Sequence, residues 1–423
     1  MGSSTTENFF TNAKPRWSYI KDDLLRCYLR GYTNKILKTR KPIIYIDGFA
    51  GSGLFEGKSV APQIAITDGK IPSCWGSPLI ALKTLELAAK ESKTENPRFY
   101  PIFIEKKYYD QLKNNVNNSQ FSDMDLSIVH GDFKDVISDI IEKLAESSKR
   151  YNLFCYIDPF GIRDLKMTLL KKLKKANFFT MELLINFNSF GFFRSACALY
   201  KVNVRELEIV RENEGLDNSS IEYHSASKQF FDEIMQCNDW YNIILDYKNN
   251  IIDGYQAEQK IAELYKMQLM TEMPMNYVLD IPIRFDESKH PKYRMIYATM
   301  SEDGVLLMAD VMRKREEILF KCNANGDIQL TLFEQKDVYD PKPAFDAFMA
   351  ILGNRKEKEL KDLFVDFYTQ FGLIPWTRCE FVKMLEKADK IVIRRIPPVK
   401  KNGMPTAFYT EGPSREIYIK KKG

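Results

Sequence analysis

Ile43-Ile44-Tyr45-Ile46-Asp47-Gly48-Phe49-Ala50-Gly51-Ser52-Gly53 starts apolar, bends at Asp47-Gly48 and ends in Gly51-x-Gly53. A short apolar run stopping at a glycine turn reads as a buried strand feeding a loop whose bare backbone a ligand can approach. Four later stretches repeat the apolar run. They are RFYPIFIE (98–105), LSIVHGD (126–132), LFCYIDPFG (153–161) and FFTMELLINF (178–187). Helical sequence separates them, beginning with a helix that Gly76-Ser77-Pro78 opens, with Ser77 and Pro78 in cap positions. Five strands alternating with helices specify a parallel sheet covered on both faces. Right-handed crossovers gather the strand C-termini on one edge, where such sheets bind ligands. Asp47, Glu105, Asp132 and Asp158 all fall at that edge.

The 423 residues exceed one ordinary domain and predict two or three. A net charge of +5 points only weakly to a polyanionic partner. No apolar run approaches a membrane span, and residues 1–14 carry no secretory pattern, so no membrane role is expected. Seven scattered cysteines without a C-x-x-C pair suit a reducing cytoplasm and disfavour a structural metal. Three histidines, at 130, 224 and 290, disfavour mechanisms built on imidazole clusters.

Residues 15–40 read as a solvated helix covering the sheet. After the fifth strand the alternation breaks, and residues from about 188 to 272 read as a helical insertion over the ligand edge. Two further strands, near 276–285 and 293–300, are joined by a polar turn. A helix follows them, so a late antiparallel hairpin closes the sheet. Residues 321–345, with Pro341 and Pro343, read as a linker. Residues 346–423 hold two amphipathic helices and a basic hairpin, the pattern of a winged helix-turn-helix. Residues 1–320 then form the main domain. From Lys390 to Gly423 there are nine Lys or Arg against two Glu, which makes nucleic acid (DNA or RNA) an expected partner.

The acidic edge suggests a nucleoside cofactor. Such a ligand needs a glycine turn under its tail, a carboxylate after strand two for the ribose hydroxyls, and an acid or amide after strand three beside the base. Gly51 and Gly53, Glu105 and Asp132 come in that order. The dinucleotide fingerprint is incomplete, because Glu56 stands where its third glycine belongs. Asp47 would crowd a pyrophosphate but suit an amino-acid ammonium, which points to S-adenosylmethionine rather than NAD.

IDGFAGSG resembles the D-x-F-x-G-x-G loop of class I methyltransferases, and Asp158-Pro159-Phe160-Gly161 resembles the D-P-P-[YF] motif of those acting on base amino groups. The layout as a whole resembles the bacterial three-Cys-motif partner family. The matching pieces are YIDGFAGSG, GSPLIAL (76–82), FIEK, HGDF, YIDPFG, LLINF, YRMIYAT (293–299) and the C-terminal winged domain. The resemblance covers most of residues 15–420. It implies a Rossmann-like class I methyltransferase sheet with a helical insertion and a C-terminal winged helix-turn-helix domain, binding S-adenosylmethionine. Asp47, Gly48, Phe49, Gly51 and Gly53 would hold the methionine moiety. Glu105 and Lys106 would sit at the ribose, Asp132 and Phe133 at the adenine. Asp158, Pro159 and Phe160 would receive the substrate. The chain departs from the amine motif in placing Phe160 where the second proline belongs and Gly161 where the aromatic belongs.

Each motif also has a plainer reading. The glycine loop alone is a turn, and an Asp after a strand often caps a helix. Asn186 and Asn188 suit either substrate contact or a turn. Phe190, Phe192, Phe193 and Arg194 read better as core than as a stacking surface, and His130 as a packed strand residue. Lys171, Lys172, Lys174 and Lys175 read as a solvated helix face. Arg394, Arg395, Lys400 and Lys401 suit phosphates or a protein. Three functions follow: a methyltransferase acting on a base amino group, a methyltransferase-like partner of a cysteine-motif radical-type iron–sulfur enzyme, or a DNA-binding regulator.

Overall fold

The computed structural model describes residues 9–12, 14–57, 71–121, 124–144, 148–204, 227–283, 291, 293–321, 340–353, 357–400, 402–412 and 414–422. Most of the polar turn at 286–292, residues 284–285 before it, most of the linker, His224, His290, Cys322, Lys401 and part of the insertion lie outside them.

Seven strands form the main sheet: β1 (Ile43–Asp47), β2 (Phe99–Glu105), β3 (Ser127–His130), β4 (Asn152–Ile157), β5 (Thr180–Phe187), β6 (Tyr277–Ile283) and β7 (Tyr293–Thr299). Their order is β3-β2-β1-β4-β5-β7-β6, and only β7 runs against the rest. This is the mostly parallel sheet with a late reversed strand that the sequence predicts, and it is consistent with a Rossmann-like methyltransferase fold.

Two-sided burial explains the strand sequences. All five residues of β1 and all six of β4 are buried. Side chains alternate across a strand. Ile43, Tyr45, Phe154, Tyr156 and Leu184 therefore pack on one face, and Ile44, Ile46, Leu153, Cys155 and Ile157 on the other. The first face carries α1 (Arg16–Ile36), α2 (Ser77–Glu91) and α3 (Tyr109–Asn118), with α4 (Phe133–Leu144) and α5 (Met167–Lys175) opposite. The insertion contributes α6 (Ser189–Leu199), α7 (Lys228–Met235), α8 (Asp239–Lys248) and α9 (Gly254–Glu272) to the second face. After β7, α10 (Glu302–Lys321) returns to the first face.

Helix α1 covers the sheet as expected, and more of it is buried than a solvated helix implies. Leu24, Leu25, Tyr28 and Leu29 have no exposed surface, and Tyr32 is nearly as buried. Its lysines and arginines interleave with an apolar stripe, so composition masks how much of it faces inward. Ser77 departs too: Gly76 is the N-cap of α2, and Ser77 is its first helical residue.

The C-terminal unit contains α11 (Lys342–Leu352), β8 (Lys358–Glu359), α12 (Leu360–Gln370), α13 (Arg378–Lys387), β9 (Ile391–Ile396) and β10 (Glu416–Lys421). Its three strands form an antiparallel sheet in the order β8-β10-β9. Helix α11 starts inside the stretch read as linker, because Pro343 lies in the first helical turn, where a missing N–H costs nothing. The unit shares the hydrophobic cluster of the α1 face, and Arg378 pairs with Asp310 of α10 at 3.0 Å. No helix among the described residues is long and apolar enough to cross a membrane.

Two buried polar networks tie the late strands to their neighbours. Arg294 of β7 donates to both oxygens of Glu258 and to Asp280, which Lys266 also contacts. On the α1 face, Glu182 of β5 accepts from Tyr28 at 2.5 Å and Thr299 at 3.4 Å. Burial pushes the Glu182 carboxyl up to about 7, against these bonds. Its folded pKa lies above its unfolded value, so its contribution is full below about pH 4.5 and lost as pH rises through 7. Glu182→Gln should therefore gain on the wild type by on the order of 3 kcal/mol between pH 4.5 and 7.5. Denaturant midpoints of the two proteins across that range check the difference.

Candidate functional site at the strand ends

The strand order reverses between β1 and β4, and a parallel sheet opens a crevice at such a point. Asp47 ends β1 beside Tyr156 of β4. It is fully buried, accepts from Ser77 Oγ at 2.7 Å and from the Phe49 amide at 3.2 Å, and is pushed up to about 7 by burial. Ser77 thus serves the strand end, which accounts for its absence from the cap. Gly48 lies against the buried Phe133 ring, whose nearest atom would sit 2.8 Å from an added Cβ. Gly51 and Gly53 have φ of 63° and 75°, the left-handed region where a side chain is strained.

Glu105, at the end of β2, organises this loop. One carboxylate oxygen accepts from the Gly51 amide at 2.7 Å, and the other from the Lys107 and Tyr108 amides at 2.7 and 2.9 Å. Asp132 follows β3 and accepts from Lys106 at 3.0 Å. Burial opposes its ionisation, yet the hydrogen bond from Lys106 and the nearby Lys134 hold its carboxyl below the usual range. Lys106 itself is exposed.

Asp158 follows β4 and meets a residue that sequence reading missed. Lys21 of α1 donates to both of its oxygens at 2.7 Å, and is only 7% exposed. Asn186 Nδ2 donates to Asp158 Oδ1 at 2.6 Å and Tyr156 Oη to Oδ2 at 3.2 Å. The signal for Lys21 was its position: with Leu25, Tyr28 and Tyr32 it falls on the buried stripe of α1. A second pair, Lys14 with the buried Asp22, lies beside it, and Asp22 is raised by burial despite Lys14. Alternation puts Asp47, Tyr156, Asn186 and Tyr293 on the α1 side of β1, β4, β5 and β7. Lys21 lies over that row, 5.2 Å from the Tyr293 ring centroid.

The bare Gly51 backbone meets an aromatic ring from the N-terminal segment. Phe10 covers the spot where a Gly51 Cβ would be, and packs on Phe55 and Tyr108 at 4.9 and 4.8 Å between centroids. Its neighbour Phe9 packs edge-on against Phe160 at 5.4 Å. Phe160 is 72% exposed, and Pro159 beside it is buried. The Glu56 amide donates to the Phe10 carbonyl at 2.8 Å. Residues 9–12 thus bridge the glycine loop and the loop after β4.

The remaining candidates separate cleanly. Asn188 caps α6, accepting from the Gly191 amide at 2.7 Å, whereas Asn186 belongs to the Asp158 cluster. Phe190, Phe192 and Phe193 are core, and Arg194 stacks over Phe190 at 5.1 Å. His130 is exposed, and stacks on Tyr109. Lys172 reaches Ser138 at 2.6 Å, and Lys171 pairs with Glu272, so this helix face is tied down rather than freely solvated. Arg394 binds Glu357 through two nitrogens at 2.8 Å, and Arg395 donates to the Phe408 carbonyl at 2.7 Å. Lys400 is exposed.

No family model matches the chain, and no curated protein matches it in sequence. Among solved structures, a loganic acid methyltransferase with SAH aligns with 96% of this chain and 94% of its own, at 9% identity and a TM-score of 0.28. A superposition that loose carries no argument about this chain.

The Phe10–Gly51 contact is directly testable. Gly51→Ala should cost at least about 1 kcal/mol from backbone strain alone. It should cost less in a Phe10→Ala background, with a coupling of roughly 1 kcal/mol in a double-mutant cycle read by chemical denaturation.

Proposed function

We propose that this chain is an S-adenosylmethionine-dependent methyltransferase acting on a base amino group of nucleic acid. The observation that carries the reading is the placement of Asp47, Glu105, Asp132 and Asp158 at the C-terminal ends of four adjacent parallel strands, around the reversal of strand order. In this reading Asp47, Gly48, Phe49, Gly51 and Gly53 surround the methionine moiety, with Asp47 facing its ammonium. Glu105, with three amides already bound, keeps about one acceptor position for a ribose hydroxyl, flanked by Lys106. Asp132 takes the adenine, with Phe133 packed behind the loop. Asp158, Pro159 and Phe160 form the substrate side.

The chemistry asks little of the protein beyond alignment and exclusion of water. The substrate nitrogen forms a bond to the methyl carbon as the carbon–sulfur bond breaks. The electron pair returns to sulfur, which leaves as the neutral thioether of S-adenosylhomocysteine. The nitrogen then loses a proton to water.

One observation favours a second reading, a methyltransferase-like partner of a radical-type iron–sulfur enzyme, as the family resemblance implies. We read the C-terminal unit as a winged helix, with the β9–β10 hairpin as its wing. Two of the arginines expected to grip phosphate there are engaged within the chain. Val392, Ile396, Val399 and Met404 are exposed nearby, a surface better suited to protein than to phosphate.

Incubation with methyl-labelled S-adenosylmethionine and mixed DNA, tRNA and total RNA tests the first reading. Label should enter one pool with the wild type and fall to background with Asp158→Ala. Cofactor binding without transfer to any pool favours the partner reading. Calorimetry with S-adenosylhomocysteine tests the cofactor assignment separately. Asp47 must ionise to face an ammonium, so affinity should rise from pH 5.5 to 7, by up to about tenfold per unit. Asp47→Asn should flatten that dependence.

A further inference from the structure

We propose that Asn186, rather than Asp158, receives the substrate's N–H, and that Asp158 and Lys21 are positioning residues behind it. The inference rests on the methyltransferase reading and specifies how the amino group is held.

A carboxylate offers about four acceptor positions. Asp158 has four donated hydrogen bonds in place: two from Lys21, one from Asn186 and one from Tyr156. The residue that the amine motif would assign to the target amino group is therefore fully engaged inside the protein. Asn186 is not. It is 2% exposed, and its Oδ1 has no hydrogen-bond partner. The orientation of the amide is settled by its neighbour, because a flipped Asn186 would turn its oxygen onto the Asp158 carboxylate. A buried amide oxygen without a donor is costly, and a ligand is one reason for a fold to keep it.

The location fits. Asn186 shares the α1 side of the sheet with Asp47, Tyr156 and Tyr293, one strand beyond the reversal point. Its partner Asp158 also acts electrostatically on Asp47, so the two halves of the edge lie within reach of each other. Asn188, two residues on, spends its side chain on a helix cap, so the pair of asparagines divides into one structural residue and one with a free acceptor. An amide oxygen cannot take a proton, so its role is to aim the nitrogen lone pair at the methyl group. The proton released in the transfer goes to water. The required substrate class is an amine with at least one hydrogen, which Asn186 holds while the lone pair attacks; the base amino group of the proposed reaction carries two.

The test uses the full-length protein, the labelled nucleic-acid pools and calorimetry with S-adenosylhomocysteine on the same samples. Asn186→Ala should lower kcat/KM by roughly 100-fold, with affinity for S-adenosylhomocysteine within about twofold. Asn186→Asp would set two carboxylates side by side, sharing one proton. Transfer should return on the acid side and vanish as the pair loses that proton, a pH profile absent from the wild type. Lys21→Met should lower transfer, because Asp158 loses the contact that fixes it. A rise in transfer with Lys21→Met would identify Asp158 as the acceptor that Lys21 blocks, and would overturn the proposal. Wild-type kcat/KM in Asn186→Ala overturns it as well, as does an effect confined to lost cofactor binding. A wild type that labels no pool refutes the methyltransferase reading, and the assignment falls with it.

Discussion

Strands β1 and β4 have no exposed face, so a polar side chain at their ends has to find partners within the protein. Asp47 takes Ser77 and a loop amide, and Asp158 takes Lys21, Asn186 and Tyr156. These demands reach outward. Ser77 begins α2, and Lys21 lies on the inward stripe of α1, so the two helices of that face are positioned by the carboxylates as well as by their leucines. An isolated buried charge would cost far more than the chain's net stability allows, and pairing or neutralisation is the only outlet. Asp158 uses the first, and Asp47, raised to about 7, leans on the second.

The same logic separates the two halves of the edge. Around Gly51, backbone amides do the work: Glu105 gathers three of them, and the glycine conformations make that possible. Around Asp158, side chains do the work. In the proposed methyltransferase, the cofactor would meet the rigid glycine loop, and the substrate would meet lysine and asparagine side chains.

Much of the architecture was legible because its cause is local. Apolar runs of strand length and amphipathic helices announce β1 to β5 and their crossovers, and YRMIYAT announces β7. The acids stand out because they interrupt apolar runs at a fixed place. What sequence reading missed has a non-local cause. Lys21 meets Asp158 across 137 residues, and nothing near position 21 distinguishes it from the other cations of the same helix except its phase. Ser77 looked like a cap because Ser often is one, and Pro343 looked like a linker residue although the first turn of a helix accepts it. The β9 arginines read as free charge because Glu357 and the Phe408 carbonyl come to them only after folding. Their place in the sequence says nothing of how much positive potential is left outside.

Phe9 and Phe10 touch residues 51, 55, 108 and 160, which belong to three separate loops. Their seat is complete only when β1, β2 and β4 are in register, so the docked segment reports that this edge of the sheet is assembled. Changes at Phe9 or Phe10 would therefore act on the glycine loop, although the two are separated by some forty residues of chain.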